Sequence, residues 1–267
     1  MIKRVLSDTA YIEVKRRAER AGSATFAGEQ RHREGRGLDP LVDPKGYDVI
    51  RRSISWLEPE DGHFVLLRGV AILKEDRLDT TGSMGDNVEI AMHVLPIAYK
   101  LLSAGSNAVL GRYDTQIITA IFADVGDNYV LCRSQAEMDE RIAEQMTLMV
   151  PEHAGGDTPE DPQYGLFGGA YLTWSSINQY GLKYYDFTVS DAPGRMRLDT
   201  DTLIRVFGHS VFEKVAENGH QINKKNLPST KDVVQDLLKN AHAFFLQVGA
   251  HRETTRFWER VFGGPGN

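Results

Sequence analysis

The rhythm of hydrophobic and polar positions along the 267-residue chain changes near residue 62. Beyond it, short β-branched and aromatic runs alternate with stretches of helical period, the pattern of a sheet whose strands are joined by helices. Runs at 64–73, 116–123, 129–133, 184–190 and 243–248 read as strands. After Gly85, Val88, Ala91, Val94, Leu95, Ala98, Leu101 and Leu102 recur every three or four residues. That spacing predicts a helix, kinked or split where Pro96 removes an internal N–H donor. Met138, Ile142, Met146 and Met149 repeat the period, as do Phe257, Val261 and Phe262, and both stripes read as core faces. The expected fold class is α/β, a doubly wound and mostly parallel sheet flanked by helices over 62–262, with a tail at 263–267.

Residues 1–61 have a different texture. Basic clusters at 15–17 and 31–36 are separated by few apolar positions. A short helix is expected over 11–21, an irregular path over 22–44, where glycines and prolines gather, and a second helix over 47–57. The segment reads as an amino-terminal arm that the core does not require.

Composition narrows the function classes. Hydrophobic residues make up 41% and charged residues 25% of the chain, as in ordinary globular proteins. A formal charge of -6 gives no electrostatic ground for nucleic acid as the main partner. Cys132 is the only cysteine, so an intrachain disulfide or a thiolate zinc site has no second ligand. The first eight residues turn polar before a signal-peptide core develops, and no apolar stretch approaches the roughly 20 residues that cross a bilayer. The expectation is a cytoplasmic protein without a membrane partner.

Three segments place hydroxyls and carboxylates where loops should leave the sheet: Asp79-Thr80-Thr81-Gly82-Ser83-Met84, then Gly155-Gly156-Asp157-Thr158-Pro159-Glu160-Asp161, then Ser190-Asp191-Ala192-Pro193. In a doubly wound sheet such loops converge on one crevice. Asp79, Thr81, Ser83, Thr158 and Asp191 are all oxygen donors, and hard oxygen ligands select Mg²⁺ or Mn²⁺. Two carboxylates offset the ion's charge, while neutral hydroxyls fill positions without adding repulsion. Asp157, Glu160 and Asp161 read as solvated loop charges.

The three segments together resemble the metal-ion-dependent adhesion site (MIDAS) of von Willebrand factor type A (VWA) domains, in the form seen in intracellular bacterial members. The similarity spans 64–249. It implies Asp79, Thr81 and Ser83 on the first loop, Thr158 on the second and Asp191 on the third. It further implies that Thr81 and Ser83 bind the ion directly, Thr158 directly or through water, and Asp79 and Asp191 mainly through water. The implied function is Mg²⁺-dependent protein–protein interaction, with a partner's Asp or Glu completing the coordination, and no catalysis. VWA domains also work beside motors in chelatase-type machines. This chain has no Walker motif, so an ATPase partner would be a separate protein. One departure from the family is Lys74-Glu75-Asp76-Arg77, which puts charges where an apolar central strand should lead into Asp79; the strand either ends early or its charges pair.

Other readings compete for the same residues. Asp79, Thr81 and Ser83 could cap a helix, and Asp191 could belong to a plain turn. Ser83 or Ser190 could pair with His153 as a nucleophile, though no Gly-x-Ser-x-Gly elbow is present. A Mg²⁺-dependent phosphohydrolase would use Asp79 as nucleophile, but its acid/base Asp would fall at Thr81, and Arg195 is the only cation near the three loops. A metal that merely staples the loops is the scaffold reading.

Overall fold

The computed structural model describes residues 27–46, 50–52, 54–60, 62–69, 72–88, 91, 115–137, 141–151 and 159–263, the strands over 50–60 and 63–69 by their backbone. In chain order the described elements are α1 (Ala27–Arg33), β1 (Ile50–Arg52), β2 (Ile54–Glu60), β3 (His63–Gly69), β4 (Leu73–Asp79), β5 (Gln116–Phe122), β6 (Leu131–Arg133), α2 (Arg141–Thr147), α3 (Gln163–Leu172), β7 (Thr173–Ser175), β8 (Tyr184–Ser190), α4 (Thr200–Phe207), α5 (Val211–Glu217), α6 (Thr230–Asn240), β9 (Ala241–Gln247) and α7 (Arg252–Phe262).

The fold is α/β, a mixed sheet of five strands flanked by helices. Its order is β6-β5-β4-β8-β9. β5 and β8 both pair with β4 in parallel, β9 is parallel to β8, and β6 runs antiparallel to β5. Apolar clusters form on both faces of the sheet. Ile118 and Phe122 of β5 join the larger one, with α3, α4, α6 and α7, whereas Ile121 joins Leu78, Met84, Cys132 and Met146 in the smaller. Helix starts follow local chemistry: Ser229 and Asp232 cap α6 reciprocally, and Asp199 accepts from the Thr202 N–H at the head of α4 (2.8 Å). Among the described residues no helix is long and apolar enough to cross a membrane.

β4 does not end early. It runs straight through its charges, and Glu75 and Arg77 are both completely buried. Arg77 makes a two-pronged contact with Asp186 of β8 (3.1 and 2.7 Å), bonds Thr188 (2.8 Å) and approaches Glu75 (3.2 Å). Arg133 of β6 grips Glu75 with Nε and Nη2 (2.9 and 2.7 Å) and reaches the Thr173 hydroxyl (2.6 Å). Burial pushes the Glu75 carboxyl up, but the guanidiniums of Arg133 and Arg77 outweigh it and hold it below its usual range. The charges sum to zero, the condition on which such a set can sit in a core. α3 lies directly over it: a Cβ on Gly165 would stand 2.3 Å from Arg77 Cδ, so only glycine lets the helix come so close.

Elsewhere the expectations need correction. Within the helix expected over 47–57, the described residues 50–52 and 54–57 are strand instead: β1 pairs with β7, and β2 pairs antiparallel with β3. The hairpin pairs Glu60 with His63, and Gly62, just before His63, takes φ +83°, a left-handed backbone that suits glycine at such a turn. The described residues of the single run over 64–73 fall on two strands, β3 and β4. Part of the irregular path over 22–44 is the helix α1. Packing joins part of the arm to the sheet. Val42 is completely buried in the smaller apolar cluster, and its carbonyl accepts from the Arg133 N–H (3.0 Å). The helix expected over 11–21, Pro96, Met138 and the tail at 264–267 lie outside the described residues.

Two outcomes are expected. Arg77→Met strands Asp186 as an uncompensated buried charge and should lower unfolding stability by about 3–5 kcal/mol. Lys74→Met, at the partly exposed pair with Asp76, should cost under about 1 kcal/mol. Equal urea midpoints for the two variants would show that the buried set does not hold the sheet. A chain starting at residue 62 lacks Val42, so Cys132, 1% exposed in the full chain, should react far faster with a thiol reagent. Unchanged reactivity would mean that the arm is dispensable.

Candidate metal centre

The register that pairs Arg77 with Thr188 and Leu78 with Val189 brings Asp79 and Ser190 side by side where β4 and β8 end. The Ser190 hydroxyl donates to Asp79 Oδ2 (2.5 Å). Thr80 fixes the other flank, its N–H and hydroxyl both donating to the Phe122 carbonyl (3.0 Å each). The chain then doubles back, because Asp79 Oδ1 accepts from both the N–H and the hydroxyl of Thr81 (2.9 and 2.7 Å). This is the turn a short carboxylate makes with the backbone two residues on. A single 3₁₀ turn, Gly82–Met84, follows, with Met84 buried and Ser83 presented to solvent.

Ser83 Oγ lies 3.2 Å from the Thr81 hydroxyl and donates to Asp191 Oδ1 (2.9 Å), 108 residues along the chain. α7 holds the Asp191 loop from behind: the Thr254 hydroxyl donates to the Asp191 carbonyl (2.9 Å) and Trp258 Nε1 to the Ala192 carbonyl (3.1 Å). Asp79, Thr81, Ser83 and Asp191 thus form one hydrogen-bonded group with a buried floor and an open mouth. Thr158, like His153, lies outside the described residues. Capping does not account for the hydroxyls, since Thr81 heads the 3₁₀ turn without a side-chain cap bond.

Two acids read as solvated are in fact part of the interior. Glu160 is 4% exposed and Asp161 completely buried. Backbone bonds stitch Glu160 to the third loop: its N–H donates to the Pro193 carbonyl (3.0 Å), and the Arg195 N–H donates to its carbonyl (3.2 Å). Asp161 accepts from the Val125 N–H (2.8 Å) and pairs with Arg195 Nε (3.2 Å). Asp124, at the end of β5, was not singled out by its sequence context, because one acid in a turn carries no motif. It shares a hydrogen bond with Glu160. Burial, this shared bond and the charges of Asp79 and Asp124 push the Glu160 carboxyl up to about 9, although Thr81 also bonds it. Asp79 is pushed up to about 6, chiefly by burial and against the donors Ser190 and Thr81.

This arrangement fits a hard divalent cation. Its donors are all oxygen, carboxylates and hydroxyls converge from separate loops, and the buried Glu160 Oε2 finds no hydrogen-bond partner. A positive charge among these acids would offset the repulsion and desolvation that now favour their protonated forms. Among the described residues no three His, Cys, Asp or Glu side chains form a metal-holding group by themselves, so the hydroxyls are essential to any such site.

No protein-family model matches the chain, and no curated protein matches it. Among solved structures it is similar to the pilus adhesin SpaC from Lactobacillus rhamnosus GG in its open conformation, at 10% identity and a TM-score of 0.35, over 78% of this chain and 33% of that one. It is also similar to three N-terminal domains of the type V pili tip protein Mfa5 from Porphyromonas gingivalis, at 12% identity and a TM-score of 0.31, over 50% of this chain and 22% of that one. The chain therefore spans a third or less of these proteins.

Burial separates the acids as targets for mutation. Asp79→Ala removes the acceptor of the buried Thr81 and Ser190 donors and should cost about 1–3 kcal/mol even without metal. Asp191→Ala, at the open mouth, should leave the thermal midpoint in EDTA nearly unchanged. A midpoint for Asp191→Ala as low as that for Asp79→Ala would contradict the division into floor and mouth.

Proposed function

We propose that the chain is a VWA-like domain that holds one Mg²⁺ or Mn²⁺ at the mouth formed by Thr81, Ser83 and Asp191 above Asp79, with Thr158 completing the set, and binds a protein partner's carboxylate there. The observation that carries the proposal is the Ser83–Asp191 hydrogen bond, which, through Thr81 and Asp79, closes two remote loops into one oxygen-donor group. The sheet supports it too. β4 has β5 on one side and β8 on the other, so the loops leaving β4 and β8 open at the point where strand order reverses, the usual ligand site of doubly wound sheets. A hard divalent cation with several neutral ligands keeps a positive charge that attracts an anion, which is the chemistry the ion would supply.

Recognition is favoured over a structural staple by one observation. Ser83–Asp191 and Ser190–Asp79 already join the loops by direct hydrogen bonds, so the fold has no need of an ion to connect them. For the nucleophile reading, Ser83 and Ser190 donate to carboxylates and have no histidine partner among the described residues. A chelatase-type assembly would use the same site, with the ATPase as partner.

Calorimetric titration of metal-free protein with Mg²⁺ should show about one ion per chain, and Asp191→Ala should abolish the uptake. At about a hundred times its dissociation constant the ion should stabilise the fold by about 2.7 kcal/mol, read as a rise in thermal midpoint over EDTA-treated protein. No uptake at millimolar Mg²⁺ would reject the site.

A further inference from the structure

We infer that the open groove between α7 and the 193–197 segment binds an acidic peptide segment of the partner, continuing from the carboxylate at the metal; this extension rests on the recognition reading above. The groove has a volume of about 790 Å³. It begins at Pro159 and at Pro193-Gly194, the stretches that carry Glu160 and follow Asp191, and runs along the face of α7 that presents Arg256, Phe257 and Arg260. The groove thus begins two residues beyond Asp191, beside the mouth of the metal centre.

Its charge is opposite to that of the molecule. On a chain of formal charge -6, the groove is lined by Arg195, Arg197, Arg256 and Arg260 against Glu253. Arg195 is engaged with Asp161. Arg197, Arg256 and Arg260 are exposed and make no ion pair among the described residues. Arg252, Arg256 and Arg260 recur every four residues on α7, and like charges at that spacing weaken a helix by a few tenths of what a good cap contributes. An anion lying along such a ladder would relieve that repulsion. Arginine is also the cation whose planar fork matches a carboxylate with two parallel bonds.

The floor of the groove selects peptide over nucleic acid. It is apolar, built from Pro193, Met196 and Phe257, and the Phe257 ring is 7% exposed beneath the Arg260 guanidinium (5.8 Å), so it offers no face on which a base could stack. An acidic segment with interspersed aliphatic side chains suits a basic rim over an apolar floor.

The test uses the full chain and a short fluorescein-labelled peptide of Asp, Glu and Leu, followed by anisotropy in Mg²⁺. Arg256→Glu/Arg260→Glu should weaken binding by about tenfold or more, and Arg256→Lys/Arg260→Lys, which keeps the charge, should lose less. Calorimetric Mg²⁺ uptake and circular dichroism report whether loops and fold are intact in each variant. The two readings separate cleanly. Binding that survives EDTA and Asp191→Ala but falls on charge reversal upholds the groove and rejects the metal-mediated contact. Binding abolished by EDTA but indifferent to charge reversal upholds the metal and overturns the groove. No binding to the wild-type chain, or tighter binding of a single-stranded oligonucleotide of equal charge than of the peptide, also overturns the proposal.

Discussion

Two guanidiniums and two carboxylates without solvent around them must neutralise one another, and Glu75, Arg77, Arg133 and Asp186 do so across three strands of one sheet. Arg133 reaches over β5 to meet Glu75, and Asp186 meets Arg77 from β8. Well-packed apolar side chains could give comparable stability, so the distinctive contribution of such a set is alignment. If β4 slipped by one residue against β8, Glu75 and Arg77 would turn to the opposite face and leave Asp186 and Arg133 buried alone. The correct register therefore has no near competitor. The same register is what brings Asp79 to Ser190, so alignment in the core and assembly of the candidate centre are one constraint.

The alternation of β-rich and helical stretches was legible in the sequence wherever apolar residues dictated it. The strand 184–190 and the buried positions Ile142, Met146, Phe257 and Val261 follow directly from periodicity. What periodicity could not show was the continuity of β4, since Lys74 to Arg77 looks like a loop until partners for the charges are supplied by β6 and β8, remote in sequence. Where 50–52 and 54–57 are described, strand replaced the expected helix for a related reason: a weak helical spacing yields when a second strand is available to pair.

At the candidate centre, four residues chosen for their donor chemistry meet as a group, because small polar side chains after a strand leave few ways to satisfy the backbone other than turning back on themselves. Glu160, Asp161 and Asp124 were not legible. Their burial depends on α3 and on the third loop closing over them, and a charged residue beside a proline gives no sign of that. The centre is thus more acidic and deeper than its motif alone indicates.

The glycine face of α3 has a mechanical consequence. A helix that rests on a guanidinium with its backbone, not through adaptable side chains, has little room to roll or slide, and Glu160 and Asp161 leave from its amino end. The Asp191 loop is tethered in turn to α7 by Thr254 and Trp258. Among the described residues of the centre, the least braced stretch is the single turn at 82–85, where Ser83 is exposed and Gly85 adopts φ +49°. The described part of the centre is thus a braced socket with one free lip, where an incoming group would meet the rotatable Ser83 hydroxyl first.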